Sequence, residues 1–324
     1  MIKQILVALL IVLNLFSSHC LADAQQQKVY RIGTLEQSSA SGREHLWEAF
    51  RKGLRELGYF EGKNVVFEQR WAMGNIDQLP DLAAELVRHK VDVIVTAATP
   101  AVLAAKKTTT TIPIVMASQS DPVGTGLVVS LARPGGNVTG LSSVNVELGG
   151  KRLELLKEAF PKISNVVFLR GRGSGFSSQA KEVEIAARTL GVQLQVVDTR
   201  GSVQSAFLTL ARNRADAIML LSDPNLFAQR KQIVELAANS RLPTMYPQSE
   251  YVDAGGLMSY GIIPSELFHR AAVYVDKILK GAKPANPPVE QPKKFEFIIN
   301  LKTAKQIGLT IPPNVLVRAN KVIK

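Results

Sequence analysis

The polar side chains that could do chemistry in this chain cluster just after short apolar runs. Glu36, Gln37 and Ser38 follow the first run, Ala98, Thr99 and Pro100 the third, and Ser118, Gln119 and Asp121 the fourth. Thr99 reads as a helix N-cap with Pro100 at the first helical position. That arrangement leaves backbone N–H groups open to a carboxylate, although ordinary capping explains the same residues. RGRGSGF at 170–176 sets Arg170 and Arg172 among glycines, with Ser174 beside them. Two guanidinium groups so placed could clamp an anion in bidentate fashion, and an exposed loop would read the same way. In Ser222-Asp223-Pro224-Asn225, Asp223 could accept an ammonium group with Asn225 next to it, or simply cap a helix. Tyr246, Ser249 and Tyr260 are candidates for lining a cleft, core packing being the alternative for Tyr260. Trp71 could stack on a ligand, but a partly buried Trp is the commoner use.

Other chemistries lack their residues. Beyond the first 24 positions the histidines are His45, His89 and His269, on three separate helical stretches, and the single cysteine is Cys20, so no metal-ligand spacing exists. Gly171, Gly173 and Gly175 give G-x-G-x-G, and Phe176 occupies the place a dinucleotide fingerprint needs for its last glycine. There is no G-x-S-x-G elbow or phosphate loop, and no carboxylate pair is singled out for acid–base work. The expectation is a protein that is not an enzyme and needs no cofactor. A formal net charge of +12 would suit a nucleic-acid binder, but the Lys and Arg are scattered among Asp and Glu with no run of five. No nucleic-acid partner is expected, and the basic surface would at most attract anionic solutes weakly.

The elements that must position these residues alternate β-branched runs with helical periodicity, the pattern of parallel sheets covered on both faces. Strands are predicted at 29–33, 65–71, 91–96, 112–117, 165–170, 193–197, 217–221 and 244–246. Helices are predicted at 45–57, 77–88, 99–107, 148–160, 178–190, 203–213, 227–240 and 265–280. Gly58 should cap the first helix. RPGGNVTG at 133–140 reads as a connection and the boundary between two sheets. With 324 residues, 46% of them hydrophobic, the chain can build two cores. The leftover elements after 257 imply that it recrosses between them.

Lys3, an apolar run of about a dozen residues and Ala22-Asp23-Ala24 make a secretory signal, too short for the ~20 residues of a spanning helix. Cleavage is expected after Ala24, which removes Cys20. That cysteine follows Ser17-Ser18-His19 and lacks a lipid-attachment context. The expected location is therefore the periplasm.

Several long motifs then occur in one order: TPAVLAAKKTTTTIPIV from Thr99, DPVGTGLVVSLARPGGNVTG from Asp121 and KRLELLKEAFP from Lys151. LMSYG from Leu257, YVDKILKGAKP from Tyr274, PVEQP from Pro288 and INLKTAKQIGLTIPP from Ile299 complete the set. They resemble the ABC-transporter substrate-binding proteins of the tryptophan/tyrosine-transport type, along essentially the whole mature chain. The resemblance implies the type I periplasmic binding protein fold, an α/β architecture of two doubly wound parallel-sheet lobes joined by a three-crossover hinge, with the ligand cleft between them. Residues 28–140 plus 261–287 would form lobe 1, and 141–260 plus 288–324 lobe 2. It implies a non-catalytic receptor, monomeric as is usual for the family, which hands its solute to an ABC permease in the inner membrane. The RGRGSGF loop departs from the Asn-Pro-containing loop usual there. A small carboxylate-bearing solute, an amino acid or aromatic acid, is the expected ligand. Presentation of the solute to a membrane sensor protein is the alternative, while a lactose-repressor-type regulator would need a helix-turn-helix headpiece ahead of the first strand.

Overall fold

The computed structural model describes residues 28–171, 176–199 and 202–324; the expected signal segment lies outside them. The first half of the chain runs β1 (Tyr30–Glu36), α1 (Ala40–Glu56), β2 (Val65–Trp71), a 3-10 turn at Ile76–Gln78, α2 (Leu79–Arg88), β3 (Val93–Ala97), α3 (Thr99–Thr108), β4 (Ile114–Gln119) and β5 (Val138–Ser142). These strands form one parallel sheet of order β2-β1-β3-β4-β5. All five residues of β3 are buried, as expected of a parallel strand covered on both faces. Val93, Val95 and Ala97 pack with Leu46, Trp47 and Phe50 of α1. Ile94 faces the opposite way, toward Leu86 of α2 and Val102 and Ala105 of α3, so the strand's period of two fills two cores at once.

The second half runs α4 (Leu148–Ala159), β6 (Asn165–Arg170), α5 (Phe176–Thr189), β7 (Gln193–Asp198), α6 (Val203–Arg212), β8 (Ala217–Leu220), α7 (Pro224–Ala228), α8 (Arg230–Asn239), β9 (Thr244–Tyr246), α9 (Ser249–Asp253) and β10 (Met258–Ile262). After α10 (Pro264–Leu279) come β11 (Phe295–Asn300), α11 (Leu301–Gln306), α12 (Pro313–Leu316) and β12 (Lys321–Ile323). The second sheet has order β12-β11-β10-β9-β8-β6-β7. It is parallel except where β11 runs against β10. One antiparallel strand toward the edge of a doubly wound sheet is common.

The chain passes between the lobes three times. It leaves the first sheet after β5, returns after β10 when α10 packs on Phe50 and Trp47 of the first core, and leaves again before β11. β5 reaches Ser142 and β10 reaches Ile262, so the divisions expected at 140/141 and 260/261 would cut both strands. Glu290 still bridges Leu141 of the first sheet, three residues past the division expected at 287/288. Among the described residues no helix is long and apolar enough to cross a membrane.

Two expectations about elements need correction. RPGGNVTG is not wholly a connection: Val138, Thr139 and Gly140 open β5, which is buried throughout. Gly140 has φ 130°, and a Cβ there would lie 2.2 Å from the carbonyl oxygen of Met116. The glycine marks a close approach inside a sheet, beside an irregularity in the β4–β5 register. The single helix expected at 227–240 is two, α7 and α8, broken at Gln229 with φ −97° and ψ 14°.

Candidate functional site

Parallel strands all point their carboxyl ends one way, and ligands of open α/β sheets bind beyond those ends. Here the ends of β3 and β4 in one lobe and of β8 and β9 in the other line a common cavity of about 40 Å³. Its walls include Arg43, Ala98 and Ser118 from the first lobe and Ser222, Asp223 and Phe227 from the second. Ser143 and Asn145 of the first crossover, Gln248, Pro264 and Phe268 complete it.

Arg43 supplies the charge on the first wall. It stands in the first turns of α1, 5% exposed, and its Nε donates to Glu36 Oε2 at 2.8 Å. Glu36, 1% exposed, also accepts the N–H of Gln37 through Oε1. The expected ligand contact Glu36 is thus the anion that holds Arg43, and Arg43, its Cζ 5.4 Å from the centre of the Phe268 ring, lines the cavity. Gln37 and Ser38 are each 1% exposed, and Gln37 Oε1, Ser38 Oγ and Gln119 Oε1 have no hydrogen-bond partner among the described residues. An unpartnered buried polar atom costs about 1–3 kcal/mol. Three such atoms gather at the carboxyl ends of β1 and β4, where a bound polar molecule would complete the bonding.

Ala98, not Thr99, is the N-cap of α3, with φ 66°; Thr99 is the first helical residue and Pro100 the second. Thr99 Oγ1 instead accepts from Gln119 Nε2 at 2.8 Å. Ser118 lies on the cavity wall at the end of β4. Asp121 organises its own turn by accepting from the Gly124 N–H at 2.7 Å, and it does not line the cavity.

On the second lobe Asp223 lines the cavity, 8% exposed, and its Oδ1 caps α7 by accepting the N–H groups of Asn225 and Leu226. The helix-cap reading of Asp223 therefore holds, and the capping residue also lines the cavity. A Cβ on Gly171 would meet the Asp223 carboxylate at 2.7 Å, so the first glycine of RGRGSGF makes room for that carboxylate. Asn225 lines an outer groove with Ser38, Gly74 and Thr199. Arg170 is not an open clamp: its Nε donates to Asp198 Oδ2 at 2.7 Å. Arg172 and Ser174 lie outside the described residues. Tyr246 is a core residue, 1% exposed, its ring stacked on Tyr251 at 4.9 Å, with burial holding its hydroxyl well above the usual range. Tyr260 packs between the two cores against Phe295 and Phe297. Trp71 packs edge-on to Trp47.

Sequence reasoning missed Arg43, Asn145, Arg152, Phe227, Gln248 and Phe268. One had a legible signal: Leu148, Arg152, Leu155 and Ala159 follow the helical repeat of a buried stripe, and a charge on such a stripe is exceptional.

The lobes also meet through His45 of α1, 3.4 Å from Glu250 of α9, with the His45 ring 6.1 Å from that of Phe227. Burial acts to raise the Glu250 pKa, but the hydrogen bonds from His45, its own backbone and Ser249 outweigh it, and the carboxyl stands below its ordinary 4.5. A carboxyl with a depressed folded-state value contributes stability above its ordinary value, lost as pH falls through the folded one. Glu250→Gln should lower Tm near neutral pH by an amount worth under about 1 kcal/mol. In thermal unfolding at two pH values, the gap to the unaltered protein should close well below pH 4.5; a gap that persists there would refute the assignment.

Comparison with known proteins gives a consistent answer. The family described as ABC transporter substrate binding protein matches residues 32–323. A tyrosine-binding protein of Clostridioides difficile (strain R20291) is 29% identical over 267 residues, 81% of this chain and 76% of that one. A conserved domain protein of Vibrio cholerae is 30% identical with a TM-score of 0.85, covering 91% of this chain and all of that one (100%). The ABC domain from Streptococcus pneumonia in complex with L-Trp is 28% identical with a TM-score of 0.83, again over 91% of this chain and 100% of the other.

Proposed function

Because this chain belongs to the family of ABC transporter substrate binding proteins, which bind solutes and are not enzymes, we propose that it is the extracytoplasmic receptor of an ABC importer. It closes two lobes around a small carboxylate-bearing solute, an amino acid or aromatic acid, and delivers it to a membrane permease. One observation carries the choice of solute: Arg43 from one lobe and Asp223 from the other face the same cavity. A guanidinium donates to a carboxylate, with the hydroxyls of Ser143 and Ser222 as further donors, and Asp223 balances an ammonium group. Phe227 and Phe268, one from each lobe, offer apolar walls to a side chain. Because the ligand touches both lobes, binding favours the closed arrangement. The tyrosine-binding relative and the L-Trp complex support an aromatic amino acid. The signal-like segment at 1–24 supports export and, with it, the reading of a periplasmic location.

The test is a thermal-shift screen of the purified protein against L-tyrosine, L-tryptophan, aliphatic amino acids, aromatic acids, sugars and nucleosides. A ligand at 100 times its Kd adds about 2.7 kcal/mol, which raises Tm by several degrees. Shifts confined to carboxylates are expected. A shift with sugars or nucleosides and none with any carboxylate would overturn the solute class.

A further inference from the structure

Arg152 is a cation that the fold has buried with no anion beside it among the described residues. It is 2% exposed on the apolar stripe of α4. Its Nε donates to the carbonyl oxygen of Tyr260 at 2.7 Å and its Nη2 to Asn145 Oδ1 at 2.8 Å. Neither acceptor carries a formal charge, and among the described residues no carboxylate acts on it. Burial pushes the guanidinium down to about 9, which leaves it protonated at neutral pH. Arg43, by contrast, is held by Glu36. Packing alone would be served better by leucine or methionine at this stripe position, because a buried charge without a partner is costly.

The hydrogen-bond directions show what the charge does. Arginine can only donate, so Arg152 fixes the Asn145 amide with its oxygen inward. The Asn145 Nδ2 then donates to Ser143 Oγ at 3.0 Å and to Ser222 Oγ at 3.2 Å. Each serine oxygen, having accepted from Asn145, keeps its own hydrogen to give, and Asn145, Ser143 and Ser222 all line the interlobe cavity. Donation thus runs one way, from guanidinium to amide to hydroxyls to cavity, and each bond polarises the next.

We propose that Arg152 is a positioning residue for ligand specificity: acting through Asn145, it sets the Ser143 and Ser222 hydroxyls as donors and so selects a solute carboxylate over its neutral carboxamide. This rests on the solute-receptor reading above, which it deepens by naming the group that is read and the residue that imposes the reading.

The test measures Kd by calorimetry for L-tryptophan, L-tyrosine and the carboxamide of each, in the full protein and in Arg152→Gln and Arg152→Lys. Arg152→Gln should weaken the carboxylates at least about tenfold, about 1.4 kcal/mol, and the carboxamides far less, so that discrimination collapses. Arg152→Lys, equally disruptive of packing but still cationic, should retain most of the discrimination. Equal losses for carboxylate and carboxamide, or wild-type discrimination in Arg152→Gln, would overturn the proposal and leave Arg152 structural. Should Arg152→Gln not fold, Ser143→Ala with Ser222→Ala removes the terminal donors and leaves Arg152 in place; the same collapse is expected, and unchanged discrimination overturns the proposal. Failure of the unaltered protein to bind either amino acid, with binding of a neutral solute instead, would sink both the solute class and this inference. Carboxylate binding with unaffected variants would sink the inference alone.

Discussion

Replacing Arg43 by methionine is expected to lower stability by about 3–5 kcal/mol, the usual cost of removing one member of a buried ion pair. The mechanism is specific. Glu36 is 1% exposed, and among the described residues it would keep the hydrogen bond from the Gln37 N–H while losing its guanidinium partner. A carboxylate stranded in that position is either desolvated and unpaired or protonated. Urea unfolding should show the loss as a lower midpoint with an unchanged slope. Arg43→Met with Glu36→Gln removes the stranded charge as well, and should recover a large part of the stability. That double variant separates folding from binding. It should be folded yet bind carboxylate solutes about a hundredfold more weakly, two factors of ten at about 1.4 kcal/mol each. Wild-type affinity in a folded double variant would remove Arg43 from the proposed carboxylate site, whatever its part in stability.

Gly261→Ala is expected to destabilise at or beyond ~3 kcal/mol, the upper end of ordinary overpacking. A Cβ at Gly261 would lie 2.0 Å from the Pro247 carbonyl oxygen and 3.4 Å from Arg152 Nη2. No side-chain rotation relieves the first contact, because the Cβ position is fixed by the backbone of residue 261 and the oxygen belongs to the backbone of Pro247. Gly261 sits in β10, just before the chain returns to the first lobe, and Pro247 lies between β9 and α9. The only relief is to separate these segments, which would also loosen the Arg152 bond to the neighbouring Tyr260 carbonyl. Gly136→Ala is the control: an added Cβ there meets nothing within 4 Å. A Gly261→Ala midpoint as close to wild type as that of Gly136→Ala would mean that the segments do not meet as described.

The legible part of the fold was the part governed by local periodicity. The strand expected at 65–71 matches β2 residue for residue, and the helix expected at 99–107 falls one residue short of α3. Errors arose where a glycine signal has two meanings. Gly140 looked like a turn residue because turns and backbone close approaches both exclude a Cβ, and only the neighbouring strand reveals which applies. The Gly171 loop is corrected at Arg170, which is committed to Asp198, a residue on β7 that pairs beside it, while Arg172 lies outside the described residues.

By itself the sequence determined two α/β sheets, the strand ends where polar residues gather, and, through its long motifs, the family. Those are properties of period, composition and order along the chain. The tertiary structure alone decided which gathered residues face the cavity, because a hydrogen-bond partner is set by proximity in space. Arg152 and Tyr260 are 108 positions apart, and Asn145 and Ser222 are 77 apart. No local pattern encodes either pairing: the first needs α4 packed against β10, and the second needs the crossover after β5 to pass the carboxyl end of β8.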